Sequence, residues 1–364
     1  MKLENLNKDS QRLLIISVIL LCVGIVMIYS ASSCYAYEQY NDSAYYLKRH
    51  LVHLIFGLLL AGVFLKRDYR NLKKYAKIFL AISIVGLVLA LLPGIGREAG
   101  GAKRWVKLGF IGFQPSEFAG FFLIVYIADI LDRKQPVIRS FMQGFMPPLT
   151  VLGCSVLLIL LQPDLGSSVC ILAVGLIMMF VSGVNMAYFL PFLVPVIPVF
   201  YFLIFKVAYR LRRIVSYLDP WSDTQGAGFQ IIQSFLALGS GGILGLGLGC
   251  SKQKLFYLPQ AHTDFIFSII GEEMGLVGTL SVVALFMMFV WIGIRISTKA
   301  KDLFGRFLAF GITVSIGMKA VINIAVSTGA IPTKGLPLPF ISYGGTALIF
   351  SVIAVAILIN ISNS

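Results

Sequence analysis

Apolar runs long enough to cross a lipid bilayer recur from one end of this chain to the other, and no other feature limits its fold more. A transmembrane helix needs roughly 20 mostly apolar residues. Of the 364 residues, 58% are hydrophobic and 13% are charged, whereas soluble domains carry about 25% charged residues. A soluble protein of this composition would expose large apolar patches. We therefore predict an all-α, polytopic integral membrane protein.

The positions of these runs predict about ten transmembrane helices within one membrane domain that covers residues 1–364. The first run is longer than the apolar core of a signal peptide, which has about 7–15 residues, so we interpret it as a retained helix. The predicted spans are 13–31, 51–65, 76–93, 117–131, 147–161, 167–183, 187–205, 265–294, 307–327 and 346–361.

Basic residues predict how the chain is oriented. The loops at 66–77, 132–146 and 295–306 hold clusters of Lys and Arg. Such short basic loops stay on the cytoplasmic side of a membrane protein. We therefore place both termini inside and a long outer loop, about 206–264, before the eighth helix. The net charge of +14 then reflects contact with anionic lipid headgroups rather than with nucleic acid.

Two segments complicate this topology. Residues 228–249 are apolar enough for an eleventh span, but they contain Gln230, Gln233 and a run of glycines, and a crossing there would place the basic 295–306 loop outside. We predict an interfacial or re-entrant segment instead. The span at 187–205 contains three prolines, which bend a helix. A kinked helix beside a cavity and a simple packing distortion both fit this pattern.

The cysteines and histidines do not suggest a metal site. The five cysteines form no CxxC motif, and the three histidines are scattered along the chain. Cys34 and Cys250 both fall in predicted outer loops and could pair, which the sequence leaves open.

The predicted outer loop before the span at 117–131 carries unusual charges. Lys103, Arg104 and Lys107 lie where positive charge is disfavoured, and a cationic cluster beside a membrane-level helix suits a phosphate or pyrophosphate group. At the start of the following helix, Ser116 could act as the N-cap, with Glu117 favourably placed at the positive end of the helix dipole. Capping accounts for Ser116 but leaves the cations unexplained.

Carboxylates also mark the borders of later spans. Asp164 lies between two apolar runs, where it either caps the next helix or serves a function, because a carboxylate at membrane depth must be paired or wet. Asp264 lies at the start of a long apolar helix and is either an N-cap or a general base whose pKa is raised by desolvation. Two to three turns inside that helix, Glu272 and Glu273 are expected to pair with Arg or Lys of the outer face.

The last loop, 327–345, is rich in Gly and Pro, which fix irregular backbone at membrane depth. We expect Lys334 and the hydroxyls of Ser342 and Tyr343 to project into the cavity that this loop covers. Under the predicted topology all of these loops share one face. Together they offer a carboxylate base, further acids, cations and hydroxyls above an apolar wall, which suits an anionic, lipid-linked, hydroxyl-bearing substrate.

At these loops the chain resembles the SEDS family (shape, elongation, division and sporulation) of polytopic peptidoglycan glycosyltransferases. The matching strings occur in order along nearly the whole chain, and they are more similar to the division branch (FtsW-like) than to the elongation branch (RodA-like). The strings are GAKRW (101–105), QPSE (114–117), QPDLG (162–166), the stretch from DPW (219–221) through GFQIIQSFLALGSGG to LPQAHTDFIFSIIGEEMG (258–275), and PTKGLPLPFISYGG (332–345).

The resemblance implies an enzyme that polymerises lipid II, the undecaprenyl-pyrophosphate-linked disaccharide-peptide, at the outer face of the bacterial cytoplasmic membrane during cell division. A flippase or transporter for the same lipid, without glycosyl-transfer chemistry, is the alternative. The resemblance also implies a monofunctional transpeptidase (a class B penicillin-binding protein) and other division proteins as partners. It leaves open a divalent cation, Mg or Mn, as a cofactor.

The resemblance assigns the catalytic role to Asp264, which we expect to deprotonate the 4-hydroxyl of the acceptor sugar in an inverting transfer. One position departs from the family pattern. The family usually has Lys three residues after its motif Glu, where this chain has Gly120, so Lys103 or Lys107 would have to replace that cation. The predicted substrate-binding residues are Arg104, Lys107, Glu117, Asp164, His262, Lys334, Ser342 and Tyr343.

Overall fold

Helices account for most of the protein. A computed structural model describes residues 6–93, 96–99, 102–108, 111–191, 194, 198, 213, 215–224, 226, 228–255 and 257–364. The helices are α1 Lys8–Tyr40, α2 Tyr45–Lys66, α3 Arg70–Leu91, α4 Pro115–Arg133, α5 Met146–Leu161, α6 Leu165–Val181, α7 Phe229–Gly241, α8 Ile266–Lys299, α9 Leu303–Ser327 and α10 Gly345–Asn363.

The prediction of an all-α membrane protein is confirmed. In the part of the chain that the structure describes, seven helices are long and apolar enough to cross a membrane: α1, α2, α3, α5 with the preceding turn, α8, α9 and α10. The apolar helix α6 is shorter, with 17 residues. The predicted span at 187–205 falls largely outside the described residues, so the number ten stays a prediction.

The helix α10 lies at the centre and packs against α1, α2, α4 and α9. Every residue from Val352 to Ile361 is buried. A helix that is apolar on all sides must be covered by neighbours on all sides. The core of the protein therefore lies around α10.

Polar contacts place both termini at one face. The Asn7 backbone N–H donates to Oδ1 of Asn363 at 2.8 Å. Ion pairs around this contact join helix ends that lie close to the predicted cytoplasmic loops, as an arrangement with both termini on one side requires. These pairs are Arg70–Asp68, Arg70–Asp302, Lys73–Asp132, Arg133–Asp129, Arg295–Asp9 and Lys299–Asp9. Which side of the membrane this face occupies stays a prediction.

A small antiparallel sheet, which was not predicted from the sequence, connects α3 to α4. Strand β1, Gly96–Ala99, pairs with β2, Ala102–Leu108, and β2 pairs with β3, Ile111–Phe113. The backbones of Arg104 and Lys107 lie on β2. Their side chains fall outside the described part of the structure, so their predicted roles stay predictions.

Residues 228–249 do not form an eleventh spanning helix. The helix within them, α7, has 13 residues and a length of about 20 Å, which is too short to cross a bilayer. Ser234 of α7 hydrogen-bonds to Ser268 of α8 and to the carbonyl of Ser327, both at 2.6 Å. α7 therefore lies beside the first turns of α8, as expected for a re-entrant segment.

The long helix α8 is broken at Gly275, where φ is 67° and ψ is −162°. The glycine-rich segment, residues 241–249, lies in this break and bonds to the backbone on both sides of it. The four bonds are Leu276 N to Gly242 O at 2.9 Å, Val277 N to Ile243 O at 3.2 Å, Leu246 N to Glu272 O at 2.9 Å and Gly247 N to Glu273 O at 3.0 Å. Backbone groups freed by the break thus find partners inside the protein, which a bilayer interior requires.

Candidate functional site

Asp264 lies two residues before the first residue of α8, at the face opposite to both termini, which we name the site face. The N-cap of α8 is Phe265, so the N-cap alternative for Asp264 is wrong. The Asp264 side chain is half-buried. In the last two turns of α9, the Asn323 amide donates to the Asp264 carbonyl at 2.9 Å and to the Leu336 carbonyl at 2.8 Å. Asn323 therefore fixes the start of α8 against the last loop.

The Asp264 carboxylate lies against Gly335. A Cβ at residue 335 would meet Oδ2 of Asp264 at 3.0 Å, and Gly335 is itself exposed. The carboxylate thus lies at an open edge of the site face. The adjacent Lys334 is half-buried beside α6. A Cβ at Gly166 of α6 would lie 3.8 Å from the Cβ of Lys334. Burial lowers the pKa of Lys334.

Asp164 is the N-cap of α6, so the capping alternative for this residue is confirmed. Its carboxylate accepts from the Ser167 backbone N–H at 3.2 Å and from the Ser167 hydroxyl at 2.8 Å. It also accepts from Ser116 at 3.3 Å. The expectation that Ser116 caps α4 is wrong, because Pro115 occupies the first helical position and makes Gln114 the N-cap. Asp164 thus joins the starts of α4 and α6.

Glu117 is buried in the first turn of α4 and forms an ion pair with Lys319 of α9, with Nζ and Oε2 separated by 2.5 Å. Lys103 or Lys107 was expected in this role, and the side chains of both lie outside the described residues. Lys319 was missed. The available signal was a Lys inside the apolar run 307–327, since an intramembrane charge is costly unless it is paired.

A cavity of about 730 Å³, part of it open to the surroundings, lies between α4, α6, α9 and α10. Glu117 and Lys319 line it toward the site face, together with Ser116 and Ser167. Its deeper wall is mainly apolar. Cys170, in the second turn of α6, also lines the cavity. Among the described residues, Glu117 and Lys319 are therefore the charged side chains of its wall.

The last loop is bound to the residues that precede α8. The Ser342 hydroxyl donates to the Thr263 carbonyl at 2.6 Å and accepts from the Leu338 N–H at 2.9 Å. The Tyr343 N–H donates to the His262 carbonyl at 2.9 Å. Because a hydroxyl has one O–H donor, Ser342 holds the Asp264 loop in place rather than projecting freely into a cavity as expected.

His262 is buried among tyrosines, with its ring centroid 4.5 Å from that of Tyr46 and 5.9 Å from those of Tyr35 and Tyr343. Burial lowers the pKa of His262 to about 4 and raises the pKa of Tyr343. The imidazole is therefore neutral at pH 7, and its packing holds the loop two residues before Asp264.

We expect His262 to make the protein less stable in mild acid. Its pKa of about 4 in the folded state lies below its ordinary value of 6.5. The unfolded chain therefore binds more protons between these values, and folding free energy is lost as the pH falls from 6.5 through 4. The loss between pH 7 and pH 5 is about 2 kcal/mol. Melting temperatures in detergent should fall less for His262→Phe than for the parent, and His53→Gln should behave like the parent. An equal fall for parent and His262→Phe would contradict the prediction.

Glu272 and Glu273 are held by partners of different kinds. Glu273 pairs with Lys254 at 2.9 Å and accepts from the Ser30 hydroxyl at 2.6 Å. The expected pairing with a basic residue is thus confirmed for Glu273. Glu272 instead accepts from the Ser251 hydroxyl and from backbone N–H groups of the same loop. Both carboxylates tie the loop that leads to Asp264 onto α8.

All five cysteines are free, so the pair left open between Cys34 and Cys250 is not formed. Among the residues that the structure describes, no group of three or more His, Cys, Asp or Glu side chains could hold a metal ion. The divalent cation stays a prediction.

Comparisons with known proteins cover almost the whole chain. Residues 11–364 match the family model for FtsW, RodA and SpoVE, described as "Cell cycle protein". A Geobacter sulfurreducens protein named "Probable peptidoglycan glycosyltransferase FtsW" is 47% identical over 350 residues, which are 96% of this chain and 94% of that protein. A solved structure described as "Structural coordination of polymerization and crosslinking by a peptidoglycan synthase complex" matches with a TM-score of 0.79 and 29% identity, over 96% of both chains. The crystal structure of the rod shape determining protein RodA from Thermus thermophilus matches with a TM-score of 0.71 and 26% identity, over 96% of this chain and 95% of that one.

Proposed function

The chain belongs to the FtsW, RodA and SpoVE family of cell cycle proteins, and from this premise we propose that it is a peptidoglycan glycosyltransferase of the division branch. It is a multi-pass protein of the bacterial cytoplasmic membrane. Its substrate is lipid II, which it joins into glycan strands. One observation supports this most directly: the half-buried Asp264 carboxylate lies at an open edge of the site face, and the cavity between α4, α6, α9 and α10 is polar toward that face and apolar in its depth.

In the proposed reaction Asp264 acts as the general base. It accepts the proton of the 4-hydroxyl of the acceptor GlcNAc, and that oxygen attacks the anomeric carbon of the donor MurNAc from the side opposite to the leaving group. The new glycosidic bond forms as the bond to the pyrophosphate oxygen breaks, so the configuration inverts. Undecaprenyl pyrophosphate leaves with the bonding electrons, and the proton on Asp264 passes to water.

The leaving group gains negative charge as its bond breaks, so nearby cations stabilise the transition state. We propose Lys334 for this role, because it lies on the site face between Asp264 and α6. Arg104 and Lys107 are further candidates on β2. Asp164 shapes the entrance by fixing α4 against α6, and His262, Ser342 and Tyr343 hold the Asp264 loop. The prenyl tails lie in grooves between helices.

A lipid II flippase would use the same polar groups without chemistry. A flippase must carry a polar headgroup through the full thickness of the membrane. The polar lining of the cavity is instead concentrated near the outer ends of α4, α6 and α9, while the deeper wall is mainly apolar. This one-sided distribution favours the enzyme.

We also propose that the chain works with a class B penicillin-binding protein, a monofunctional transpeptidase, and with other division proteins. Glycan strands become a wall only when their peptides are crosslinked. The similar solved structure is described as a peptidoglycan synthase complex that coordinates polymerisation and crosslinking.

The experiment that tests the function is polymerisation of lipid II by the purified full chain in detergent, with and without the transpeptidase partner. We expect glycan strands to form, because the chemistry needs no membrane potential or second compartment. Translocation of labelled lipid II is measured in parallel in proteoliposomes. Translocation without any strand formation in detergent, with the partner present, would establish the flippase and overturn the enzyme.

A further inference from the structure

The ion pair between Glu117 and Lys319 stands apart from the other ion pairs of the protein. Of the ion pairs between described residues, it is the one with both members in the cavity wall. Glu117 comes from α4 and Lys319 from α9, so the pair bridges the cavity between two helices. Neither side chain has a role in the proposed proton transfer from the acceptor hydroxyl.

The two side chains are buried to different degrees. The Glu117 side chain is 3% exposed, whereas that of Lys319 is 22% exposed. A Lys ammonium has three N–H donors, and the Glu117 carboxylate accepts one of them. Among the described residues no second acceptor lies within hydrogen-bonding distance of this ammonium, so two donors remain available on the cavity side.

The depth of Lys319 suits a group attached to the reacting sugar. Asn323, which bonds to the Asp264 carbonyl, lies four residues further along α9. Four helical residues rise about 6 Å. The Lys319 backbone therefore lies about one turn deeper in the membrane than the level of Asp264, between the reacting sugars and the apolar part of the cavity.

We propose that Lys319 binds the diphosphate of the lipid-linked donor and that Glu117 is the positioning residue that holds its ammonium in place. This inference rests on the proposed function and names the group that one cation of the site recognises. None of the family strings quoted above includes a Lys or Arg of α9. The assignment instead comes from the side-chain contact across the cavity.

Gly120 offers a way to move the charge. Residues 117 and 120 are three apart on α4 and therefore share a helix face. A Cβ at Gly120 would meet the terminal Cδ1 of Ile171 at 3.2 Å, a flexible side-chain end that can shift. A Lys at residue 120 can thus bring an ammonium to Glu117 from α4 when Lys319 has been replaced.

The test compares three variants of the full chain in detergent. Glu117→Gln/Lys319→Gln replaces both charges together, so neither is left buried without its partner. Gly120→Lys/Lys319→Gln relocates the cation. Lys252→Gln removes an exposed cation elsewhere on the site face and is the matched control. Binding of undecaprenyl pyrophosphate and of inorganic pyrophosphate is measured by thermal shift, with undecaprenol as the probe for the tail alone.

We expect Glu117→Gln/Lys319→Gln to bind both diphosphates about tenfold or more weakly, since a charge-assisted hydrogen bond is lost, and to bind undecaprenol as the parent does. Relocation of the cation should restore diphosphate binding to within a factor of about three, and Lys252→Gln should match the parent. Parental diphosphate affinity in the double Gln variant would overturn the inference, as would weaker binding that Gly120→Lys does not restore.

Because these readouts need no turnover, they separate this inference from the proposed function. A chain that binds diphosphate through Lys319 but forms no strands would refute the polymerase and leave the binding site standing. A double Gln variant that polymerises lipid II with parental kcat/KM would refute the role of Lys319 and leave the polymerase standing.

Discussion

Asp264→Asn is expected to reduce lipid II polymerisation by roughly 10²–10⁴-fold, the usual contribution of a general base. Asn has nearly the same shape as Asp but cannot accept the proton of the acceptor hydroxyl. The bond from Asn323 should survive, because it goes to the main-chain carbonyl of residue 264. Strand formation by purified protein in detergent measures the effect, and the melting temperature confirms folding.

Glu38→Gln is the matched control for this variant. Glu38 is an exposed carboxylate in the last turn of α1, and we expect its replacement to leave polymerisation unchanged. Binding of lipid II should also remain within a factor of about three in Asp264→Asn, because Lys319 and Lys334, and not Asp264, are proposed to contact the diphosphate. Strands formed by Asp264→Asn at the parental rate would refute the assignment of the base.

The membrane fold could be predicted because it follows from composition and from the length of the apolar runs. The grouping of helix ends follows from the Lys and Arg clusters, which the structure gathers beside both termini. Asp264 could be singled out because a carboxylate next to a long apolar helix is costly unless it is paired, hydrated or needed for function. Each of these features is local in sequence, so a single sequence contains it.

The partner of Glu117 could not be predicted, because Lys319 is 202 positions away. Apolar periodicity shows which residues lie on one helix, but not which faces of α4 and α9 meet. The role of the glycine-rich segment could not be predicted for the same reason, since it bonds to the backbone of α8 on both sides of the break at Gly275. Contacts between helices distant in sequence decide both features.

Gly275→Ala is expected to destabilise the protein by on the order of 4 kcal/mol, the largest stability effect that we predict. The backbone conformation of φ 67° and ψ −162° is essentially restricted to glycine and costs an L-residue about 1–3 kcal/mol. The new Cβ would lie 2.4 Å from the Gly245 nitrogen and 2.5 Å from the Ile243 oxygen. Because these atoms belong to the backbone, the clash is relieved only if the glycine-rich segment moves away from α8. This movement weakens the hydrogen bonds between the segment and α8, each worth about 1 kcal/mol.

Gly62→Ala separates this mechanism from a general effect of replacing glycine. A Cβ at Gly62, within α2, would meet nothing within 4 Å. We therefore expect Gly62→Ala to melt within about 2 °C of the parent and Gly275→Ala to melt about 5 °C lower. Because the segment's bonds also hold the loop that ends at Asp264, Gly275→Ala should lose polymerisation activity below its melting temperature. Equal melting temperatures for the two Ala variants would show that the segment does not lie in the break of α8.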